Sequence, residues 1–117
     1  YADVLLIAVE LEARMNGSVS TAAQGWFDQI RDRAFGDTNH RISLAGKTKD
    51  EILEIIFDER GYEFMDEMQR WFDIMRFDKG TEILASKGWT EKYRYFPICQ
   101  SEIDKSKGGL TQNKAWL

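Results

Sequence analysis

Apolar residues at helical spacing fill the first third of the chain and predict two helices joined by a short loop. Residues 2–16 are apolar on almost every side, which predicts a helix buried between its neighbours. Gly17 is a stop signal for the first helix, Ser20 or Thr21 can cap the second, and Gly36 marks the end of the second helix. Residues 1–36 are therefore predicted as an αα-hairpin, similar in size to one tetratricopeptide unit. The second helix carries one amphipathic stripe with spacings of three and four residues: Ala23, Trp26, Phe27, Ile30 and Ala34.

The same periodicity returns in residues 48–88. Thr48 and Glu51 form a T-x-x-E capping box, which predicts the start of a third helix. Apolar residues then recur through residues 49–75, as one long helix or as two helices bent near Asp66. A short helix over residues 81–87 is expected to end at Gly88.

The last segment, residues 89–117, has a different character. Tyr93, Tyr95 and Phe96 are aromatic and favour extended backbone, and Pro97 disfavours a helical conformation at Phe96. We expect an extended tail lying across the helices, with one short strand pair at most. The chain as a whole, residues 1–117, is predicted to be a single all-α domain of tetratricopeptide-like hairpins with a largely extended C-terminal tail.

Composition and charge remove several classes of function. The net charge is −4 and the basic residues are interspersed with acidic ones, so no nucleic-acid-binding stripe is present. The longest apolar run, residues 4–9, is too short to span a membrane. His40 and Cys99 are the only histidine and cysteine, which excludes an internal disulfide and a multi-His or Cys/His metal site. No metal or other cofactor is expected, and Cys99 is predicted to be a buried, inert thiol.

Three carboxylates at i, i+4 and i+8 form the most suggestive charged cluster: Glu59, Glu63 and Glu67. They admit two interpretations, a general acid/base or metal site and a ladder of ion pairs. Arg31 and Arg33 are available as partners, and the ion-pair interpretation is preferred. No catalytic residue is therefore assigned.

A second candidate cluster is aromatic and lies near the end of the chain. Trp89, Tyr93 and Tyr95 could stack on the C–H faces of sugar rings, or they could pin the tail to the helices. Tyr93 and Tyr95 would share one face of a strand. Trp26 and Trp71 lie on helical stripes and are predicted to be core residues.

Six stretches, in order along nearly the whole chain, resemble segments of the SusD/RagB family. The family usually has Gly where this chain has Met68, which puts in doubt a helix break at that point, and Cys99 stands where a second Pro is usual. The stretches are YADVLLIAVE at 1–10, IRDRA at 30–34, ERGYEF at 59–64, EMQRWFDIMR at 67–76, FPICQSEI at 96–103 and LTQN at 110–113.

The resemblance implies a non-catalytic, surface-exposed lipoprotein of the outer membrane that binds oligosaccharide or polysaccharide for a SusC-like TonB-dependent transporter. Members are mostly helical and are held in the membrane by a lipid anchor, which would be on an N-terminal part missing here. This chain is then a C-terminal fragment and mostly scaffold, with the main sugar contacts upstream, and Arg31 or Arg33 is expected to pair with Glu63, Glu67 or Asp73. The alternatives are a tetratricopeptide-like protein-interaction module that docks on a transporter and, less favoured, a glycoside hydrolase based on the carboxylate ladder.

Overall fold

The computed structural model describes residues 1–117 and contains helices and turns but no β-strand. The prediction of an all-α, tetratricopeptide-like fold is confirmed. No helix combines the length and the apolar composition needed to cross a bilayer. Three 3₁₀ turns cover Ala85–Lys87, Glu91–Arg94 and Lys114–Trp116. The six α-helices are α1 (Ala2–Asn16), α2 (Thr21–Phe35), α3 (Lys49–Glu63), α4 (Arg70–Arg76), α5 (Gly80–Leu84) and α6 (Gln100–Lys105).

The chain divides into two compact units, Tyr1–Arg70 and Trp71–Leu117. The first holds α1, α2 and α3, and the second holds α5, α6 and the three 3₁₀ turns. Most residue contacts fall within one unit or the other. That residues 1–117 fold as a single domain stays a prediction.

Local signals place the ends of α1 and α2 where the sequence predicts them. Gly17 ends α1 with a left-handed φ of 73°, which a residue without a Cβ adopts at no steric cost. Ser20 then caps α2, because its hydroxyl accepts a hydrogen bond from the Ala23 amide at 3.2 Å. Gly36 ends α2 in the same way as Gly17 ends α1, with φ 74°. The two helices form the expected αα-hairpin.

The core of the first unit lies where α1 packs against both α2 and α3. Its fully buried residues come from all three helices. The outer stripe of α1 is exposed instead: Val4 is 65% exposed, Leu11 51% and Met15 79%. Burial of α1 on all sides is therefore wrong for this chain. The seven apolar side chains with no exposed surface are Leu6, Val9, Ala13, Ala23, Phe27, Ile52 and Ile56.

The third helical stretch is two helices separated by a break. Thr48 and Glu51 form the predicted capping box that opens α3. After α3 ends at Glu63, Asp66 and Met68 adopt left-handed backbone conformations with φ 66° and 58°. The break that the usual glycine would permit is thus kept by Met68, at a steric cost that glycine would avoid.

The second unit contains more helical turns than the predicted extended tail. Residues 91–94 form a 3₁₀ turn, residues 100–105 form α6, and no strand pair is present. Pro97 does leave the backbone around it extended, but the segments on either side satisfy their backbone groups locally, for example through Tyr93 N–H to Thr90 O at 2.9 Å and Glu102 N–H to Cys99 O at 3.0 Å.

Candidate functional site

A cavity of about 590 Å³ opens in the second unit and is walled mainly by aromatic rings. Leu84, Lys87, Gly88 and Pro97 complete its lining. Several of the rings are accessible, since Tyr95 is 60% exposed and Phe96 80% exposed. We call this cavity the aromatic pocket, and its rings are Trp71, Trp89, Tyr93, Tyr95, Phe96 and Trp116.

A glycine sets the position of Trp89 in this pocket. Gly88 turns the chain with φ 81°, and the Trp89 amide then donates to the Leu84 carbonyl at 3.2 Å. The indole lies directly against the backbone of Gly80, where a Cβ would be only 2.4 Å from Cη2. Trp89 can therefore occupy this place only because residue 80 has no side chain.

The wall formed by residues 95–98 is held by side chains from the C-terminal end. The Gln112 amide pairs with both backbone groups of Ile98, accepting from its N–H and donating to its carbonyl at 2.8 Å each. Asn113 and Trp116 each donate to one more carbonyl of this segment. These side chains satisfy the extended backbone as a neighbouring strand would, which is why no strand pair is needed. We call this arrangement the amide clamp, and its bonds run from Gln112 to Ile98, Asn113 to Phe96 and Trp116 to Tyr95, at 2.7–2.8 Å.

One side of the pocket combines an edge-to-face pair of rings with a cation. The rings of Tyr93 and Trp116 meet edge to face, with centroids 5.5 Å apart. The ammonium nitrogen of Lys92 lies 5.0 Å from both centroids. The Lys92 ammonium group is thus within cation–π distance of both rings, whose faces carry partial negative charge. Lys92 thereby holds an ammonium group at the edge of the aromatic pocket.

The carboxylates of α3 belong to ion pairs. Glu59 is almost completely buried and bonds to Arg31, and Glu63 bonds to Arg33 at 2.5 Å. This confirms the expectation that Arg31 or Arg33 pairs with Glu63. Glu67 lies beyond the last residue of α3, so the three carboxylates do not line one helix face. The hydrogen bond to Glu63 raises the pKa of the Arg33 guanidinium, in keeping with a stabilising ion pair.

The family model described as SusD family matches residues 1–91, more than three quarters of the chain. The chain belongs to the SusD family. The SusD/RagB resemblance of the sequence is thus confirmed. Of the aromatic pocket, Trp71 and Trp89 fall inside the matched residues, whereas Tyr93, Tyr95 and Trp116 follow them.

Individual SusD-family relatives share sequence and fold with this chain. The SusD-like protein P25 of Formosa agariphila is 36% identical over 76 residues, which are 65% of this chain and 14% of that protein. Surface glycan-binding protein A of Bacteroides thetaiotaomicron matches with a TM-score of 0.77 and 32% identity, over 97% of this chain and 23% of that one. The same protein in complex with laminarihexaose matches equally well. The chain thus spans less than a quarter of the length of either relative.

The structure brings together all three aromatic residues that the sequence singles out in this SusD-family chain. Trp89, Tyr93 and Tyr95 line one pocket, although Tyr93 lies in a 3₁₀ turn and the two tyrosines share no strand. Trp116 and Trp71 were missed as pocket residues, and the assignment of Trp71 to a helical core stripe is wrong because its half-buried ring lines the pocket. The edge-to-face contact between Trp116 and Tyr93 joins residues 23 positions apart, which no local pattern reveals.

The prediction of a buried, inert Cys99 is also wrong. Cys99 is exposed, at the residue before α6, and no helix covers it. Its sulfur lies 3.3 Å from the Ser101 hydroxyl, and this hydrogen bond lowers the pKa of the thiol. The apolar neighbour Ile98 suggested burial, but Ile98 itself is only half-buried and Cys99 lies at the surface.

Proposed function

We propose that this chain is the C-terminal portion of a longer, non-catalytic SusD-family protein that binds oligosaccharide or polysaccharide at the outer-membrane surface. The observation that carries the proposal is the structural match, over 97% of the chain, to a surface glycan-binding protein whose complex with laminarihexaose is solved. The longer protein would be held by a lipid anchor on its N-terminal part. It would deliver captured glycan to a SusC-like TonB-dependent transporter.

Most of the chain acts as scaffold in this proposal, and the aromatic pocket is the part that contacts sugar. Pyranose rings have flat C–H faces that pack on aromatic rings, and ligand sites are typically concave and largely apolar. The aromatic pocket offers rings on which a sugar can pack, and its lining is largely apolar. Its volume of about 590 Å³ lies within the range of small-ligand sites. Trp89, Tyr93 and Tyr95 are the proposed sugar contacts, with Trp116 as a fourth.

Affinity electrophoresis in gels that contain a panel of polysaccharides tests the proposal. We expect at least one glycan to retard the chain, and Tyr95→Ala to abolish the retardation. Tyr62→Ala is the matched control, because Tyr62 is also a highly exposed tyrosine but does not line the aromatic pocket. If no glycan retards the chain while a longer natural protein that contains it is retarded, the chain is scaffold only. If neither is retarded, the glycan-binding function is wrong.

A protein-interaction module is the second candidate, and the exposed stripe of α1 is the observation that favours it. Val4, Ile7, Leu11 and Met15 present apolar side chains on one helix face, as interaction surfaces do. The two functions are compatible, because a helical scaffold can also contact a transporter. Absence of glycan binding by the longer protein would make interaction the better explanation.

A glycoside hydrolase is the least favoured alternative. The carboxylates it would use, Glu59 and Glu63, are bound by Arg31 and Arg33. Glu63→Gln should lower thermal stability slightly, by up to about 1 kcal/mol, and should leave glycan binding unchanged. Hydrolysis of a glycan that disappears in this variant would instead establish an enzyme.

A further inference from the structure

The charged side chains that line the aromatic pocket or lie over its rings are positive, although the chain as a whole is acidic. Among the residues that line the pocket, Lys87 alone has a charged side chain, and Lys92 adds a second ammonium group over the rings of Tyr93 and Trp116. Both lysines are exposed, and neither forms an ion pair. A chain with net charge −4 thus has two unpaired ammonium groups beside its aromatic pocket.

Glu91, the acidic residue nearest to both lysines in the sequence, pairs with an arginine, and Glu82 pairs with Lys79. Arg94 donates to Glu91 at 3.0 Å and also to Asp78, and both bonds raise the pKa of the arginine. A third bond, to the Met75 carbonyl at 2.9 Å, fixes the guanidinium in place. Glu91 and Asp78 are therefore bonded to Arg94, and neither of the two ammonium groups pairs with a carboxylate.

The charged groups at the pocket are hydrogen-bond donors. Lys87 and Lys92 contribute ammonium N–H groups, which donate and cannot accept. The carbonyls of Tyr95, Phe96 and Ile98 already accept hydrogen bonds from the amide clamp. A carboxylate or sulfate group only accepts hydrogen bonds, so it is matched to these ammonium donors, and charge-assisted bonds of this kind are stronger than neutral ones.

We propose that the aromatic pocket selects acidic oligosaccharides, in which a sugar ring stacks on the aromatic side chains while its carboxylate or sulfate group binds Lys87 and Lys92. This rests on the proposed function, since it names the class of glycan for the same pocket. It predicts a preference that differs from the neutral laminarihexaose bound by the structural relative.

Isothermal titration of the 117-residue chain with oligogalacturonate, a sulfated galactan oligosaccharide and laminarihexaose tests the proposal. We expect at least one acidic ligand to bind more tightly than laminarihexaose. Its affinity should fall strongly in about 1 M NaCl, where the screening length is about 3 Å. The double variant Lys87→Gln/Lys92→Gln should weaken acidic-ligand binding roughly tenfold or more.

The matched control is Lys47→Gln/Lys49→Gln, which removes the same charge from residues outside the pocket. An equal loss of affinity in this control would show non-specific attraction and overturn the proposal. If laminarihexaose binds as tightly as the acidic ligands and the Lys87/Lys92 variant is unchanged, the acidic preference is wrong but glycan binding stands. If no ligand binds, both the preference and a sugar site in this pocket are wrong.

Discussion

The contact between Gly80 and Trp89 yields the sharpest prediction about the aromatic pocket. In Gly80→Ala the new Cβ would lie 2.4 Å from Cη2 and 2.5 Å from Cζ2 of the indole. Carbon atoms pack at about 3.5–4.0 Å, so the ring must move by more than about 1 Å. Such overpacking costs about 1–3 kcal/mol, and the displaced indole should also weaken any ligand bound in the pocket.

Gly25→Ala is the matched control, because Gly25 is also helical and a Cβ there meets no atom within 4 Å. This variant should gain about 0.5–1 kcal/mol from the better helix propensity of alanine. The two glycine-to-alanine changes are therefore expected to shift the thermal midpoint in opposite directions, measured by circular dichroism.

A double-mutant cycle isolates the steric cause. In a Trp89→Leu background the six-membered part of the indole is absent, so Gly80→Ala should lose most of its cost. The reasoning is refuted if Gly80→Ala stabilises the wild-type chain as Gly25→Ala does, or if its cost is the same with leucine at position 89.

Three further predictions concern the helical scaffold. Met68→Gly should stabilise the chain by about 1 kcal/mol in urea unfolding, since it relieves a left-handed backbone at an exposed side chain. Thr48→Ala should destabilise it by about 1 kcal/mol in the same assay through loss of the α3 cap, and an unchanged midpoint would contradict the capping box. Hydrogen bonds from Arg41 and Thr48 lower the pKa of Asp32 and Glu51. Carboxyls with a lowered folded pKa stabilise above their unfolded pKa, so a thermal-melt pH series should show stability falling below about pH 4.

Local sequence signals account for most of the fold. Ser20, Thr48 and the glycines at 17 and 36 act through their immediate neighbours, and the helix ends that they predict are the ones observed. The choice between one long helix and two could not be made from the periodicity of residues 49–75. The decision depends on left-handed backbone at Asp66 and Met68, for which neither residue type is a strong signal.

The candidate site was only partly predictable, because its contacts are long-range. Trp89, Tyr93 and Tyr95 lie close together in the sequence, and this was enough to nominate them as sugar-binding candidates. Trp116 contacts the ring of Tyr93, and Gly80 leaves room for the ring of Trp89. Neither contact belongs to a local sequence pattern. The sequence allowed for a short strand pair in the tail. Instead, the side chains of Gln112 and Asn113 satisfy the backbone groups of the extended segment, so no second strand is needed.

The amide clamp holds the pocket wall by its main chain and leaves the side chains of the wall free to contact a ligand. The hydrogen bonds of the clamp are made only to main-chain atoms of residues 95, 96 and 98. The side chains at 95 and 96 take no part in these hydrogen bonds and are largely exposed, so substitutions there leave the amide clamp intact. Descendants of such a chain could alter which ligands the wall accepts by single substitutions there, and keep the same backbone throughout.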